Sequence, residues 1–341
     1  MRAAFCPTAG VIELRDVPNP VPAAREAVVR IRACGICGSD LHWFQGSLPP
    51  PPVCPGHEMA GEVAACGAGV GAVREGDRVA VEPLVVCREC HDCRAGTPQR
   101  CPHLRILGLQ RAGGLADAVV VPEYALFPLP ADLDWPVAAL AEPTAVCVHA
   151  VRQGGVGLGA RVLVLGAGTI GLLAVLAARA AGAAEVAISA RHSHQAAMAR
   201  RLGASRVFAT SQDGEQERAA YVAAHPIDVV IETVGGAADT IADGVQAARP
   251  GGTVVVLGVF GSLPALPALA LIVKEVRILG AMLYDRAGPR PEFDIALDLL
   301  ERHRDAAAAL ITHRLELDAV QSAFATAADK RSGAIKVTVT P

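Results

Sequence analysis

Cys87, Cys90, Cys93 and Cys101 place four thiols within the stretch CRECHDCRAGTPQRC. The spacing C-x2-C-x2-C-x7-C lets one loop wrap a tetrahedral ion, and zinc accepts four thiolates in that arrangement. An iron–sulfur cluster is the rival occupant, since cysteines hold those as well. Four sulfur ligands leave no open coordination position, so a zinc here is expected to be structural. His91 lies inside the loop but is expected in solvent, because the sulfurs already satisfy the ion. Any chemistry has to come from elsewhere in the chain.

Upstream, ACGICGSDLH and PGHEMAGEVAACGAGV carry Cys37 and His57, each beside glycines that permit tight turns. A catalytic zinc needs about three protein ligands and one open position, and these two residue types suit it. Taken singly, each reads better as a core cysteine or a satisfied histidine. Together with their neighbours they form a pattern. Gly56, His57, Glu58, Gly61, Gly67 and Val70 spell G-H-E-x2-G-x5-G-x2-V. That string resembles the zinc-containing alcohol dehydrogenase signature of the medium-chain dehydrogenase/reductase superfamily. The Cys87–Cys101 loop resembles that family's structural-zinc lobe. REGDRVAVEP and GAGTIGLLA follow in the family's order, so the resemblance covers essentially the whole chain.

The resemblance implies that Cys37 and His57 ligate a catalytic zinc, making two zinc ions per chain. A third ligand is implied in LAEPTAVCVHA, where the sorbitol-dehydrogenase-like branch has an acidic residue before proline. Here that residue is Glu142, ahead of Pro143. Zinc with a thiolate, a neutral imidazole and a carboxylate carries the same net charge as zinc with two thiolates and an imidazole. Cys147 is a rival third ligand. Glu58 is a second rival, placed behind the ligands or taking turns at the metal as water leaves. Ser39 and His42 match the family's proton relay. The reaction implied is transfer of a hydride from a zinc-activated alcohol to a nicotinamide, with zinc acting as a Lewis acid.

RVLVLGAGTIGLLAVLAARAAGAAEVAIS reads as strand, glycine turn, helix and strand. Gly166, Gly168 and Gly171 follow an apolar strand, and Thr169 and Ile170 open the helix, which is the context a dinucleotide turn requires. The glycines admit a pyrophosphate to the backbone, and the helix N-terminus favours its charge. NAD-using members of this fold place Asp or Glu about twenty residues further on. The aligned residue is Ala190, followed by Arg191 and His192, and Glu185 opens the strand at its other end. With an arginine and no carboxylate, NADP is expected, with NAD as the alternative.

Apolar strands at residues 228–232, 253–257 and 276–280 continue a βαβ alternation, so the fold class is α/β with a doubly wound parallel Rossmann sheet. The resemblance adds a β-rich GroES-like catalytic domain. The expected division is 1–150 for that domain with its structural-zinc lobe, 151–285 for the nucleotide-binding domain, and 286–341 returning to the first. The return is expected to bring a helix at 291–303 and a strand at 334–339. Pro49 to Pro52 are expected to stiffen a loop between two metal ligands.

A net charge of −3 with 19% charged residues gives no electrostatic footprint for nucleic acid or an anionic membrane. VLVLGAGTIGLLAVLAA is uncharged, but its three glycines fit a strand–turn–helix better than a membrane span. No signal-peptide core opens the chain, so a cytoplasmic setting is expected, and there ten cysteines favour metal over disulfides.

The expected substrate is a small secondary alcohol of polyol, sugar or amino-sugar type, or the matching ketone. Simple secondary alcohols or L-threonine, with NAD, form the alternative. A catalytically inactive zinc-stabilised binding protein is a second one. Trp43 and Phe44 line the pocket or belong to the core. The resemblance implies a homodimer or homotetramer with the strand near 276–280 at a subunit contact.

Overall fold

A computed structural model describes all residues from Met1 to Pro341. The chain forms two compact units, Met1–Glu142 with Asp285–Pro341, and Pro143–Tyr284. The division falls within the helix Ala141–Gln153, upstream of the 150/151 boundary expected from sequence.

The Pro143–Tyr284 unit holds a six-stranded parallel sheet. Across the sheet the strands run Arg206–Ala209, Glu185–Ala190, Arg161–Leu165, Ile227–Glu232, Ala248–Val256 and Arg277–Gly280. Numbered within the unit, that order is 3-2-1-4-5-6, the doubly wound arrangement. The central strand RVLVL is apolar almost throughout because helices cover both faces of such a sheet. Leu163, Leu165, Phe208, Val230 and Val254 form its core.

The other unit is built on a seven-stranded sheet. Its centre is the long strand Glu26–Gly35, paired antiparallel with Glu58–Cys66, Ala118–Pro122 and the C-terminal strand Lys336–Thr340. The return segment also supplies the helix Glu292–Arg302 and the helix Val320–Ala328. Phe324 of the latter packs on Trp43 and Phe44, with ring centroids 5.1 and 5.2 Å apart, so that aromatic pair belongs to the core. All ten cysteines are free thiols, and no helix is long and apolar enough to cross a membrane.

Register in the central strand pair positions the site. Gly35 pairs with Glu58 and Cys34 with Met59. Cys37 follows the end of one strand and His57 precedes the start of the other, so antiparallel pairing brings together two residues twenty apart in sequence. Further along, Gly61 sits against the Arg30 carbonyl, where a Cβ would overlap backbone. Overpacking of this kind costs about 1–3 kcal/mol. Gly61→Ala is therefore expected to lower the thermal midpoint by roughly a few degrees. An unchanged midpoint would mean that the two strands separate without cost.

Candidate active site

The four-thiol lobe is closed by local structure. Leu84–Val85 and Arg105–Ile106 pair antiparallel, bringing the two ends of the loop together. Cys90 caps the one-turn helix His91–Arg94 and accepts from the Cys93 amide at 3.4 Å; the Cys90 amide donates to Cys87 Sγ at 3.4 Å. Sulfur atoms lie 3.9 Å apart between Cys87 and Cys93 and 3.6 Å apart between Cys101 and Cys87. A tetrahedron of Zn–S bonds has edges of about 3.8 Å, far longer than the roughly 2.05 Å of a disulfide. All four ligand atoms lie within 4.8 Å of one another. Donation from the Glu89 and Cys90 amides lowers the Cys87 thiol to about 6, favouring the thiolate that a metal takes. Burial pushes Cys93 up to about 12, a cost that a cation among the sulfurs removes. His91 is exposed, with its side chain outside this set.

Cys37, His57 and Glu58 form a second group whose ligand atoms lie within 4.8 Å of one another. Cys37 is the N-cap of the helix Gly38–Phe44, which also carries Ser39, Asp40 and His42. Ser39 and His42 stand three residues apart on that helix, and both are half-buried. The Ser47 hydroxyl donates to the His42 carbonyl at 2.7 Å and lies 3.4 Å from His42 Nδ1. Glu142 opens the helix Ala141–Gln153 and is buried; it stands outside the close donor group but near enough to raise the His57 pKa. Cys147 Sγ donates to the Ile170 carbonyl at 3.2 Å.

Two residues absent from the sequence reading complete this neighbourhood. Asp40, fully buried, accepts from the Cys37 amide through Oδ2 at 2.9 Å. Its other oxygen faces His57 Nδ1 at 3.7 Å, and neither atom has a hydrogen-bond partner. An Nδ1–H directed at a carboxylate leaves Nε2 as the ring's electron-pair donor, the usual support of a metal-bound histidine. Lys336, also buried, binds both oxygens of Glu58 at 2.6 and 2.7 Å. Asp40 is signalled only by its place three residues beyond Cys37, and Lys336 only as a lone cation in an apolar terminal strand.

Three buried carboxylates, Asp40, Glu58 and Glu142, thus lie near one lysine, with half-buried Cys37 beside them. Burial opposes charge on His57, yet Asp40 and then Cys37 carry its pKa well above the ordinary value. Burial likewise raises Glu142 to about 7, and His57 pulls it back. A divalent cation relieves all of these groups together, and the soft-and-hard donor set of sulfur, imidazole and carboxylate suits zinc. Both donor groups fit the ion.

The nucleotide turn lies in the other unit. Gly166 has φ +98°, and a Cβ there would press on Val234 and Thr233. Gly168 caps the helix Thr169–Ala180, and the direction of its missing Cβ is open within 4 Å. At Gly171 a Cβ would overlap the Gly166 carbonyl, so this glycine sets helix-to-strand packing. Ala190 ends its strand buried, Arg191 is exposed, and His192 caps the helix Ser193–Arg201. Glu185 begins the strand, where it accepts from Tyr221. Ser189 and Glu232 carry no motif signal in the sequence. The Ser189 hydroxyl accepts from the Gly166 amide at 3.0 Å. Buried Glu232 accepts from the Val234 and Gly235 amides and the Thr240 hydroxyl at 2.7–3.0 Å, tying the loop after its strand.

Residues 23–131 match the alcohol dehydrogenase GroES-like domain, and residues 169–302 match the zinc-binding dehydrogenases. The chain is 34% identical over 327 residues to a sorbitol dehydrogenase of Macaca fascicularis, covering 93% of this chain and 90% of that one. A solved structure from Sinorhizobium meliloti 1021, assigned as a zinc-binding dehydrogenase and bound to NADP, matches with TM-score 0.88 at 33% identity, covering 100% of this chain and 99% of that one. Another, described as a short chain alcohol dehydrogenase of Escherichia coli CFT073 complexed with NADH, matches with TM-score 0.90 at 27% identity and the same coverage. The chain belongs to the zinc-containing alcohol dehydrogenase family, in its sorbitol-dehydrogenase-like branch. Its α/β fold joins a GroES-like domain to a Rossmann sheet, and it is an enzyme of the zinc-dependent alcohol and polyol dehydrogenase type.

Metal-replete protein is expected to contain two zinc ions per chain by elemental analysis. Cys93→Ser should retain one and melt at lower temperature. Asp40→Asn should weaken zinc retention at the Cys37–His57 site by about 10–100-fold in chelator competition, leaving the four-thiol zinc in place. Equal retention by Asp40→Asn and wild type would show that His57 needs no carboxylate to hold its orientation.

Proposed function

We propose that the protein oxidises a secondary hydroxyl of a polyol or sugar-type alcohol, or reduces the corresponding ketone, with NADP as the preferred cofactor. The observation that carries this reading is the contrast between two donor sets in one chain. Four thiols close on themselves, whereas Cys37, His57 and a buried carboxylate leave a coordination position for substrate. In this reading Cys37, His57 and Glu142 hold the catalytic zinc, and Cys87, Cys90, Cys93 and Cys101 hold the structural one. Bound zinc supplies Lewis acidity towards the hydroxyl and bound nicotinamide accepts the hydride. Ser39 accepts the hydroxyl proton, and His42 on the same helix passes it to solvent. Asp40 keeps the His57 ring in the ligating tautomer.

The likeness to a sorbitol dehydrogenase supports the polyol class. Support for an oligomer comes from the outer edge of the Rossmann sheet. Arg277–Gly280 is its last strand, and Leu269, Ile272, Val273 and Met282 nearby are all more than half exposed. Leu269, Ile272 and Val273 share one helix, an exposed apolar face of this kind marks an interaction surface, and a second copy of the chain is the occupant proposed for it.

The cofactor preference rests on one short turn. The acid that binds ribose hydroxyls in NAD enzymes would also repel a phosphate, and Ala190 can do neither. Arg191 offers a planar fork of donors to a 2′-phosphate. Charge-assisted bonds contribute about 1.5–3 kcal/mol. At about 1.4 kcal/mol per tenfold, kcat/KM with NADP should exceed that with NAD by about ten- to a hundredfold. The measurement is a steady-state comparison of both cofactors across a panel of polyols, and Ala190→Asp with Arg191→Leu should reverse the preference. Equal kcat/KM for the two cofactors would place Arg191 in solvent. No turnover with any alcohol would overturn the reading altogether.

A further inference from the structure

Glu232 ends the strand Ile227–Glu232 with its side chain fully buried, and no step of the chemistry above uses it. In an open parallel sheet a ligand binds beyond the carboxyl ends of the strands, where the strand order reverses. Here the reversal falls between Arg161–Leu165, which leads into the glycine turn, and the Glu232 strand. Two loops leave the sheet beside that turn, 233–236 after Glu232 and 257–260 after the neighbouring strand Ala248–Val256. The first abuts the turn. The Thr233 hydroxyl donates to the Leu165 carbonyl at 2.8 Å, and Thr233 and Val234 fill the space where Gly166 lacks a Cβ. The second loop meets the first, with the Gly236 amide donating to the Val259 carbonyl at 2.8 Å.

The two oxygens of Glu232 divide between these loops. Oε1 accepts from the Val234 amide at 2.7 Å, the Gly235 amide at 3.0 Å and the Thr240 hydroxyl at 2.7 Å. Oε2 accepts from the Gly258 amide at 3.2 Å, across to the second loop. The Glu232 carbonyl also takes the Gly258 amide, at 3.3 Å. A Cβ at Gly258 would overlap both Oε2 and the Gly235 amide nitrogen, so this approach needs glycine. Every partner of the side chain is a donor, which suits a carboxylate and not an amide, whose nitrogen would itself donate. Val234 and Val259, each about half exposed, ride on the two loops that this one side chain ties together. Resting on the reading of the glycine turn as the dinucleotide site, we propose that Glu232 is a positioning residue for the cofactor. It fixes the spacing of the loops that flank the turn, and so sets nicotinamide cofactor affinity while itself fully buried.

Glu232→Gln keeps the shape but sets an N–H against a donor whichever way the amide faces. In one orientation the nitrogen opposes the Gly258 amide; in the other it opposes the Val234 and Gly235 amides. The loops move apart to relieve this, and the cofactor must restore their spacing, which weakens binding by the fraction of molecules still competent. Equilibrium titration of NADPH and NADH fluorescence on the enzyme as isolated reads the effect without turnover. The Kd of the tighter cofactor should rise about tenfold or more in Glu232→Gln. Gly258→Ala, which pushes the same loops apart from the other side, should do likewise. Thr240→Val serves as the control: it removes one bond to Oε1, should lower the thermal midpoint by about a few degrees, and should leave Kd within about twofold of wild type. A merely structural carboxylate would lower the midpoint in all three variants and leave Kd unmoved. The proposal falls if Glu232→Gln binds as tightly as wild type or, where that variant does not fold, if Gly258→Ala does. It falls equally if Thr240→Val weakens binding as much as Glu232→Gln. Wild type that binds neither cofactor would instead overturn the dinucleotide reading, and the titration shows this before any variant is compared.

Discussion

Negative charge buried where two antiparallel strands end shapes the unit that contains it. Asp40, Glu58 and Glu142 are all at least 96% buried, and Cys37 lies among them. Each buried ion costs several kcal/mol unless a partner offsets it. The fold provides one permanent partner, Lys336, and it comes from the far end of the chain. The C-terminal strand Lys336–Thr340 pairs with Glu26–Gly35, which also pairs with the strand that begins at Glu58. Without that return, Glu58 would stand uncompensated in the core. One lysine cannot balance the whole group, and the remaining excess is what a divalent ion relieves.

The two sulfur-bearing sites differ in how far the chain travels to make them, and this decides what could be read in advance. Four cysteines within fifteen residues need only a short loop, so their spacing states the geometry directly. Gly166, Gly168 and Gly171 are similarly local, because a turn between a strand and a helix is built from neighbours. Cys37 and His57 meet only through strand register, and Glu142 comes near them only through helix placement. Their types suggest chemistry, but their partnership came from resemblance to a family motif. Asp40 and Lys336 fall outside any such signal. A lysine in AIKVTV looks like an ordinary strand-end charge, since alternation on one sequence cannot show that Lys336 shares a buried face with Thr338. The division at Glu142 was also illegible, because helix Ala141–Gln153 continues through it without a break in pattern.

The Rossmann unit answers the opposite electrostatic problem. Its turn collects backbone amides and leaves Gly168 open at the start of a helix, an arrangement that favours an anion. The acids nearby are already committed: Glu232 is held by three amides and a threonine hydroxyl, and Glu185 is at the other end of its strand. Ser189, the last polar side chain before Ala190, fixes the turn by accepting from Gly166. With those groups engaged, Arg191 is the first side chain after the strand that can meet a charged group.

Each unit is therefore incomplete in charge, one wanting a cation and the other an anion. A ligand that binds only the folded form adds stability in proportion to the logarithm of its concentration over its dissociation constant. Zinc and a dinucleotide act through separate donor sets, so each stabilises the unit that holds it. A substitution that disturbs only the anion-binding turn should leave the cation-binding charges balanced as before. The unlike charges of the two sites allow one to be tuned for cofactor choice while the other keeps its metal.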